Sequence, residues 1–462
     1  MGMRPAYELI PGGRLMTANT IEKHPATTGN MSRPGSKTLM ASAIGTVLEW
    51  YDFAIYGYLA ALISHQFFPS TDYFASLILS YSVFALGYFI RPIGAIFFGS
   101  FGDKYGRKRT LIITIILMTL STFLIGVLPT YSSIGLLAPI ALVLLRMLQG
   151  FSAGGEFGGA VALVYESSAK NKGFLCAFIC TSSCVGILCS SLVMNIVLGI
   201  FSPHAFAQYA WRIPFLLSIV TGIVAIYLRL KVVESTEFLQ AQATGKLIKR
   251  PMAEIVKNHK STLINLIGLY TICSVSIYLL FVFMPSYLAT TFGMNFKVSS
   301  GTSTIAMLVL TLFIPFYGWL SDRIHGLYLM AISASIVICV SYPLYRLLGN
   351  ASTVSLMTIQ ITFAIIIAAY HGSVIRVILS QLPVQIRYTA YSFGYNLSYS
   401  LFGGTAPLIA LALMKKTNNT AAPSFYLIFS AVVSLLFVAL ALKKLKKSNR
   451  KLTPQPVTGE FA

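Results

Sequence analysis

The chain has 462 residues, of which 56% are hydrophobic and only 10% charged, and it carries a formal net charge of +21. A soluble domain has about a quarter charged residues, so the composition excludes a soluble globular protein. Apolar runs of about 20 residues select spanning helices over a barrel, whose strands alternate over about 10.

Residues 1–38 are polar, with no apolar core before Met40. That excludes a secretory signal peptide and predicts a disordered cytoplasmic tail, with Met16 and Met31 as alternative starts. Apolar runs bounded by Gly, Pro or charge then predict twelve helices, over 39–68, 74–100, 110–128, 135–166, 173–201, 211–231, 262–290, 299–320, 327–348, 354–382, 388–414 and 424–442. The polar connection 232–261 divides them into an amino-terminal bundle, 39–231, and a carboxy-terminal bundle, 262–442, followed by a basic cytoplasmic tail, 443–462. Most Lys and Arg residues fall in the tails and alternate loops, which puts both termini in the cytoplasm and argues against a nucleic-acid footprint. Lys443, Lys444, Lys446 and Lys447 are placed to meet anionic lipid.

The first helix contains Glu49 and Asp52. A charge at mid-membrane costs several kcal/mol by insertion scales, about 2.5–3.5, so one kept there has a role. Three residues apart, the two acids share a helical face with Tyr56. Arg91 precedes Pro92 in helix two, Arg146 lies in helix four, and Glu156 follows within a glycine-rich run. Gly150, Gly154 and Gly158 form a small-residue face that admits another helix backbone. Six cysteines lie in apolar segments, so no disulfide is expected. Cys176, Cys180 and Cys184 share a face and read as packing residues, not metal ligands.

After helix two comes Gly99, Asp103, Gly106, Arg107 and Lys108, and after helix eight an incomplete echo, Gly318, Asp322 and Arg323. Such a carboxylate can cap a helix N-terminus or pair with a base across the two halves. Helix ten carries His371 and Arg376. Arg376 either docks a solute carboxylate or snorkels to the interface, and His371 is either a ligand or a satisfied core group. Tyr391, Tyr395, Asn396 and Tyr399 in helix eleven form either a cation–π cage or ordinary packing. The second half has no carboxylate inside a predicted membrane helix, so a carboxylate proton site belongs to the first.

Gly99–Lys108, together with Leu142, Arg146, Gln149 and Gly150, resembles the signature loop and helix-four motif of the major facilitator superfamily. Within it the chain resembles the metabolite:proton symporters, through Leu48–Phe53, Arg91–Gly94, Gln149–Glu156, Trp211–Phe215 and Phe402–Pro407, in order over residues 40–440. The resemblance implies an all-α polytopic fold of twelve transmembrane helices in two pseudo-symmetric six-helix bundles, in the bacterial inner membrane. It implies a carrier driven by the proton gradient, with a small organic solute, protons and lipid as partners, no cofactor, and a monomer. The proton-coupling set is then Asp52, Glu49, Arg146, Arg91 and Glu156, although Arg91 and Glu156 are equally readable as fixed ion pairs. The solute set is Arg376, His371, Tyr56, Tyr395 and Asn396, and the conformational switch is Gly99, Asp103, Gly106, Arg107, Lys108, Asp322 and Arg323. A zwitterion such as proline or glycine betaine is the first expectation. A di- or tricarboxylate, a carboxylate siderophore, or uncoupled facilitation are the alternatives. No phosphate loop, metal-ligand spacing or nucleophile motif supports an enzyme. The second switch departs from the family pattern at His325–Leu327, and no heptads follow Leu445 to form an osmosensing coiled coil.

Overall fold

The computed structural model describes residues 36–105, 107–166, 170–230, 251–382 and 386–452. The expectations for the amino-terminal tail, most of the central connection and the end of the basic tail lie outside these residues. Eleven described helices are long and apolar enough to cross a bilayer: α2 (Tyr73–Phe98), α3 (Arg109–Val127), α4 (Leu137–Ala162), α5 (Lys172–Ile200), α6 (Ala210–Tyr227), α7 (Lys260–Val282), α8 (Phe296–Arg323), α9 (Gly326–Asn350), α10 (Thr353–Ser380), α11 (Arg387–Thr417) and α12 (Pro423–Leu445). They are preceded by α1 (Ser36–Phe67), 32 residues long. Its length also suffices to span, but Glu49, Asp52 and its tyrosines make it the least apolar of the set. Burial compensates, because Trp50, Tyr51, Phe53, Ala54, Ile55, Tyr56, Tyr58 and Leu59 are all enclosed by protein.

Local chemistry explains the ends. The Asp72 carboxylate accepts the Phe74 N–H at 2.9 Å and opens α2, while Asn295 and Ser352 cap α8 and α10 in the same way. Small residues set the crossings: Gly186 of α5 lies against the backbone of α1, and Gly173 of α5 and Gly318 of α8 face each other across the halves.

Three helices depart from the uniform rods expected. A 3₁₀ turn, Ala153–Gly155, interrupts α4, where two glycines weaken helical propensity. Tyr278–Val282 of α7 and Tyr399–Gly403 of α11 are π-helical turns, closed by Phe283 N–H to Tyr278 O at 2.7 Å and Gly404 N–H to Tyr399 O at 2.8 Å. Each lies just before a proline, Pro285 or Pro407, whose missing N–H relaxes the ladder there. The one short helix described in the central connection, Pro251–Asn258, packs its Ile255 inward.

Candidate functional site: a closed central cavity

The amino-terminal bundle holds the buried charges. Glu49 of α1 and Arg91 of α2 form an ion pair with both side chains almost fully enclosed. The Arg91 guanidinium also lies 4.6 Å from the Phe53 ring centre, 5.2 Å from Tyr88 and 5.6 Å from Trp50. Arg146 of α4 has no carboxylate within ion-pair distance among the described residues. It donates to the Gln149 side-chain oxygen, and its guanidinium sits 4.4 Å from the Tyr56 ring centre, 4.9 Å from Phe53 and 5.5 Å from Phe84. Nε and Nη2 of Arg146 have no hydrogen-bond acceptor, nor do Nε and Nη1 of Arg91. Ring quadrupoles offset part of the desolvation of these cations, but they leave the in-plane N–H groups available to an anion.

Asp52 is 3% exposed, and its Oδ1 has no hydrogen-bond partner. Gln149 ties it indirectly to Arg146, donating to the Asp52 carbonyl at 3.1 Å and to the Thr122 hydroxyl at 2.8 Å. In this state the Asp52 carboxylate meets neither arginine: Gln149 reaches only its backbone carbonyl, and Glu49 takes Arg91. Of the four charges, only Glu49 and Arg91 are joined directly.

Where the bundles meet, Trp50, Phe157, Cys180, Ser183, Cys184, Ile187, Tyr270, Ile277, His371, Tyr395 and Tyr399 enclose a collapsed cavity with room for about one water. Its walls are mostly aromatic. Trp50 meets Tyr399 edge-on at 5.5 Å, Tyr395 stacks on Phe157 at 4.6 Å, and Tyr270 and Tyr391 join hydroxyls at 2.7 Å. His371 brings polar atoms to it, with Nε2 3.4 Å from the Ser276 hydroxyl and Nδ1 3.9 Å from the Cys180 thiol.

Both ends of the cavity are shut. At the end bearing the chain terminus, Asn396 donates to Gly154 O at 2.7 Å, Tyr388 donates to Gly155 O at 3.2 Å, and Gly158 abuts Ser392. Beyond them the Asp322 carboxylate accepts the Gly173 and Phe174 N–H groups at 2.8 and 2.9 Å. Asp322 of α8 thus caps α5 of the other bundle and pairs with Arg376 at 3.2 Å. At the opposite end Tyr81 meets Phe283 at 5.5 Å, Asn195 donates to Ser300 and Thr304, and Lys415 pairs with the exposed Asp72 at 3.1 Å. That lysine holds the Asp72 carboxyl below the usual carboxylate range. Between the ends, Tyr88 and Tyr278 join hydroxyls across the bundles, and Ser400 donates to Tyr88 O at 2.5 Å.

Of the residues expected to bind solute, His371 and Tyr395 line the cavity. Tyr56 lies under Arg146 and donates to Ser80 O, while Asn396 binds backbone across the bundles. Arg376 stands apart at the switch, a third exposed, held by Asp322 and the Ser321 carbonyl. Arg323 stacks on Trp319 of its own helix at 3.8 Å. Gly106 lies outside the described residues, as do the side chains of Asp103, Arg107, Lys108 and Glu156 and the surroundings of Gly99. Sequence reasoning missed Trp50, Tyr270 and the Tyr88–Tyr278 bridge, which look like ordinary members of apolar runs. The one available signal was the cysteine face: Cys180 and Cys184 pack helices as expected, but they also front the cavity.

A closed aromatic cavity between two helix bundles, with the buried charge of the described residues in one of them, is the arrangement of a membrane transporter. The Major Facilitator Superfamily model matches residues 42–407. The glycine betaine/proline/ectoine/pipecolic acid transporter OusA of Dickeya dadantii is 33% identical over 431 residues, covering 90% of this chain and 85% of the relative. The proline/betaine transporter of Escherichia coli K12 is 32% identical, covering 87% and 82%. The xylose transporter XylE of E. coli, in a partially occluded inward-open conformation, superposes with a TM-score of 0.71 over 88% of this chain and 97% of its own, at 16% identity. The chain belongs to the Major Facilitator Superfamily, in the branch that holds the proline/betaine transporters.

Proposed function

We propose that this protein imports a small zwitterion, proline or glycine betaine first among candidates, by proton symport across the bacterial inner membrane, with both termini cytoplasmic and the proton gradient as its driving force. The observation that carries the reading is the cavity itself: aromatic faces from Trp50, Tyr270, Tyr395 and Tyr399, with the Arg91 guanidinium, whose Nε and Nη1 have no acceptor, 5.6 Å behind the Trp50 ring centre. Aromatic faces attract a quaternary or secondary ammonium, and a guanidinium suits a carboxylate. The names of the relatives point the same way. Arg376, engaged by Asp322, is unavailable as the extra cation that a di- or tricarboxylate needs.

Coupling follows from Arg146. With Asp52 protonated, Arg146 has no competing carboxylate and accepts that of the solute. Once the solute leaves, an ionised Asp52 restores charge balance in the bundle that holds Arg146. Proton and solute therefore cross together.

The test is uptake of labelled proline into proteoliposomes with an imposed pH gradient. The expected result is accumulation that a protonophore abolishes and that glycine betaine, but not citrate, 2-oxoglutarate or shikimate, competes away. Competition by the carboxylates alone would transfer the assignment to them. Flux indifferent to the protonophore would leave a facilitator.

A further inference from the structure

Asp52 does not line the aromatic cavity. It lines a second, separate one inside the amino-terminal bundle, together with Gly45, Leu48, Glu49, Thr114, Ile115, Met118, Thr119, Ser152, Ala153, Thr221, Gly222 and Ala225. The two cavities share no residue. This chamber has room for a single water and carries hydroxyl partners for it. Its walls are α1, α3, α4 and α6, and α7–α12 contribute nothing to it. From Asp52 it runs along α1 toward Gly45, about 10 Å at 1.5 Å per residue, toward the end that carries the amino terminus.

We propose that the chamber is the proton's own exit: Asp52 exchanges its proton with the amino-terminal face through Thr114, Thr119, Ser152 and Thr221 by way of water, not through the solute cavity. This rests on the proton-coupled reading above. The observation behind it is the Asp52 Oδ1, enclosed and without a partner, on a side chain that lines the chamber. The remaining charged and titratable groups around Asp52 are Glu49 of the same helix, paired with Arg91 of α2, then Arg146 of α4, and Tyr51 of α1 with Cys189 of α5 beyond it. α6 brings only Thr221, Gly222 and Ala225 to the chamber, and none of them titrates. Glu49 is the one other charged side chain on the chamber wall, and its pairing with Arg91 makes it a weaker base than Asp52, so a proton leaving Asp52 passes along hydroxyls and water beside a carboxylate that is already engaged.

Separation of routes has a kinetic consequence. Solute exchange, in which a loaded carrier returns loaded, needs no proton release, whereas net uphill uptake needs one each turn. The test uses the full chain with its six cysteines replaced, carrying Thr114→Cys or Ala225→Cys and treated in proteoliposomes with the methanethiosulfonate reagent MTSEA. Modification is expected to slow net proton-driven proline uptake at least about tenfold while leaving proline–proline exchange within about twofold, and excess proline is not expected to protect. Ser183→Cys, in the solute cavity, is the contrast: there modification stops exchange and proline protects. The proposal is overturned if proline protects both chamber positions, if exchange and net uptake fall together, or if both cysteines stay unlabelled from either side. Wild-type uptake that ignores a protonophore would instead remove the coupling reading and leave the chamber a packing defect.

Discussion

The two bundles share a fold but divide the chemistry. In the first, Glu49, Asp52, Arg91 and Arg146 are buried, among helices held by small-residue contacts such as Gly150 on Gly87 and Gly154 on the Arg91 carbonyl. In the second, among the described residues, no carboxylate lies inside a spanning helix away from its ends; tyrosines, serines and two π-helical turns take that place. Charge needs a rigid setting, because an ion displaced from its partner in a dry interior costs several kcal/mol. Aromatic faces tolerate displacement. The rigid half therefore suits the ion chemistry, and the half with irregular backbone suits adapting to a solute.

The sharpest way to break this division is to split the buried ion pair. Arg91→Ala strands Glu49 and should cost about 3–5 kcal/mol. It is expected to lower the midpoint of thermal unfolding in detergent by many degrees, and the double variant Glu49→Gln/Arg91→Gln should recover much of it. If the single variant is as stable as the parent, the first bundle is not the rigid one. Next is Tyr399→Leu, which removes one aromatic face from the cavity. A cation–π contact worth about 0.5–2 kcal/mol predicts a rise in KM of about 2- to 30-fold for glycine betaine, with a smaller fall in the unfolding midpoint than Arg91→Ala gives. An effect on folding equal to that of Arg91→Ala would erase the contrast.

Smaller again is Asp322→Ala, which removes the cap that α8 supplies to α5. Losing such a cap costs about 0.5–2 kcal/mol, so a cysteine placed at the half-exposed Phe174 should label faster from the amino-terminal face. Beside it, burial and the Arg376 charge push the His325 imidazole below its usual pKa, and its Nδ1 accepts the Leu327 N–H at 3.3 Å. A lowered histidine pKa means that the neutral form belongs to the folded switch. As pH falls through the unfolded value, about 6.5, the open form takes up the proton first and the switch weakens progressively. Exchange of the Leu327 amide should rise below that pH, and His325→Gln should flatten the rise. Last, Lys415→Ala breaks an exposed pair with Asp72 and should leave stability and uptake unchanged within error at physiological salt.

The twelve helices were legible because the bilayer imposes a length, and apolar runs of that length are hard to mistake. The buried acids of α1 were legible for the converse reason: Glu49 and Asp52 stand out against Ile, Leu and Ala. Pairing was not. Nothing in the spacing indicates that Arg91 takes Glu49 while Gln149 stands between Arg146 and Asp52, because partner choice depends on helix rotation and tilt. Arg376 was ambiguous between solute and interface for the same reason, and its depth in the bundle places it beside Asp322. Trp50 and Tyr270 escaped notice because an aromatic residue in a membrane helix is ordinary until its neighbours are known.

The 3₁₀ turn Ala153–Gly155 has a mechanical meaning. On one side of it Gly150 is locked against α2; on the other, Gly158 presses on Ser392 of the opposing bundle. The same helix is thus bolted to its own half above the turn and leans on the other half below it. The turn itself is clamped, with Gly154 against the backbone of α2 and its carbonyl accepting from Asn396, so α4 ties the two halves together through a fixed bend beside the charged layer.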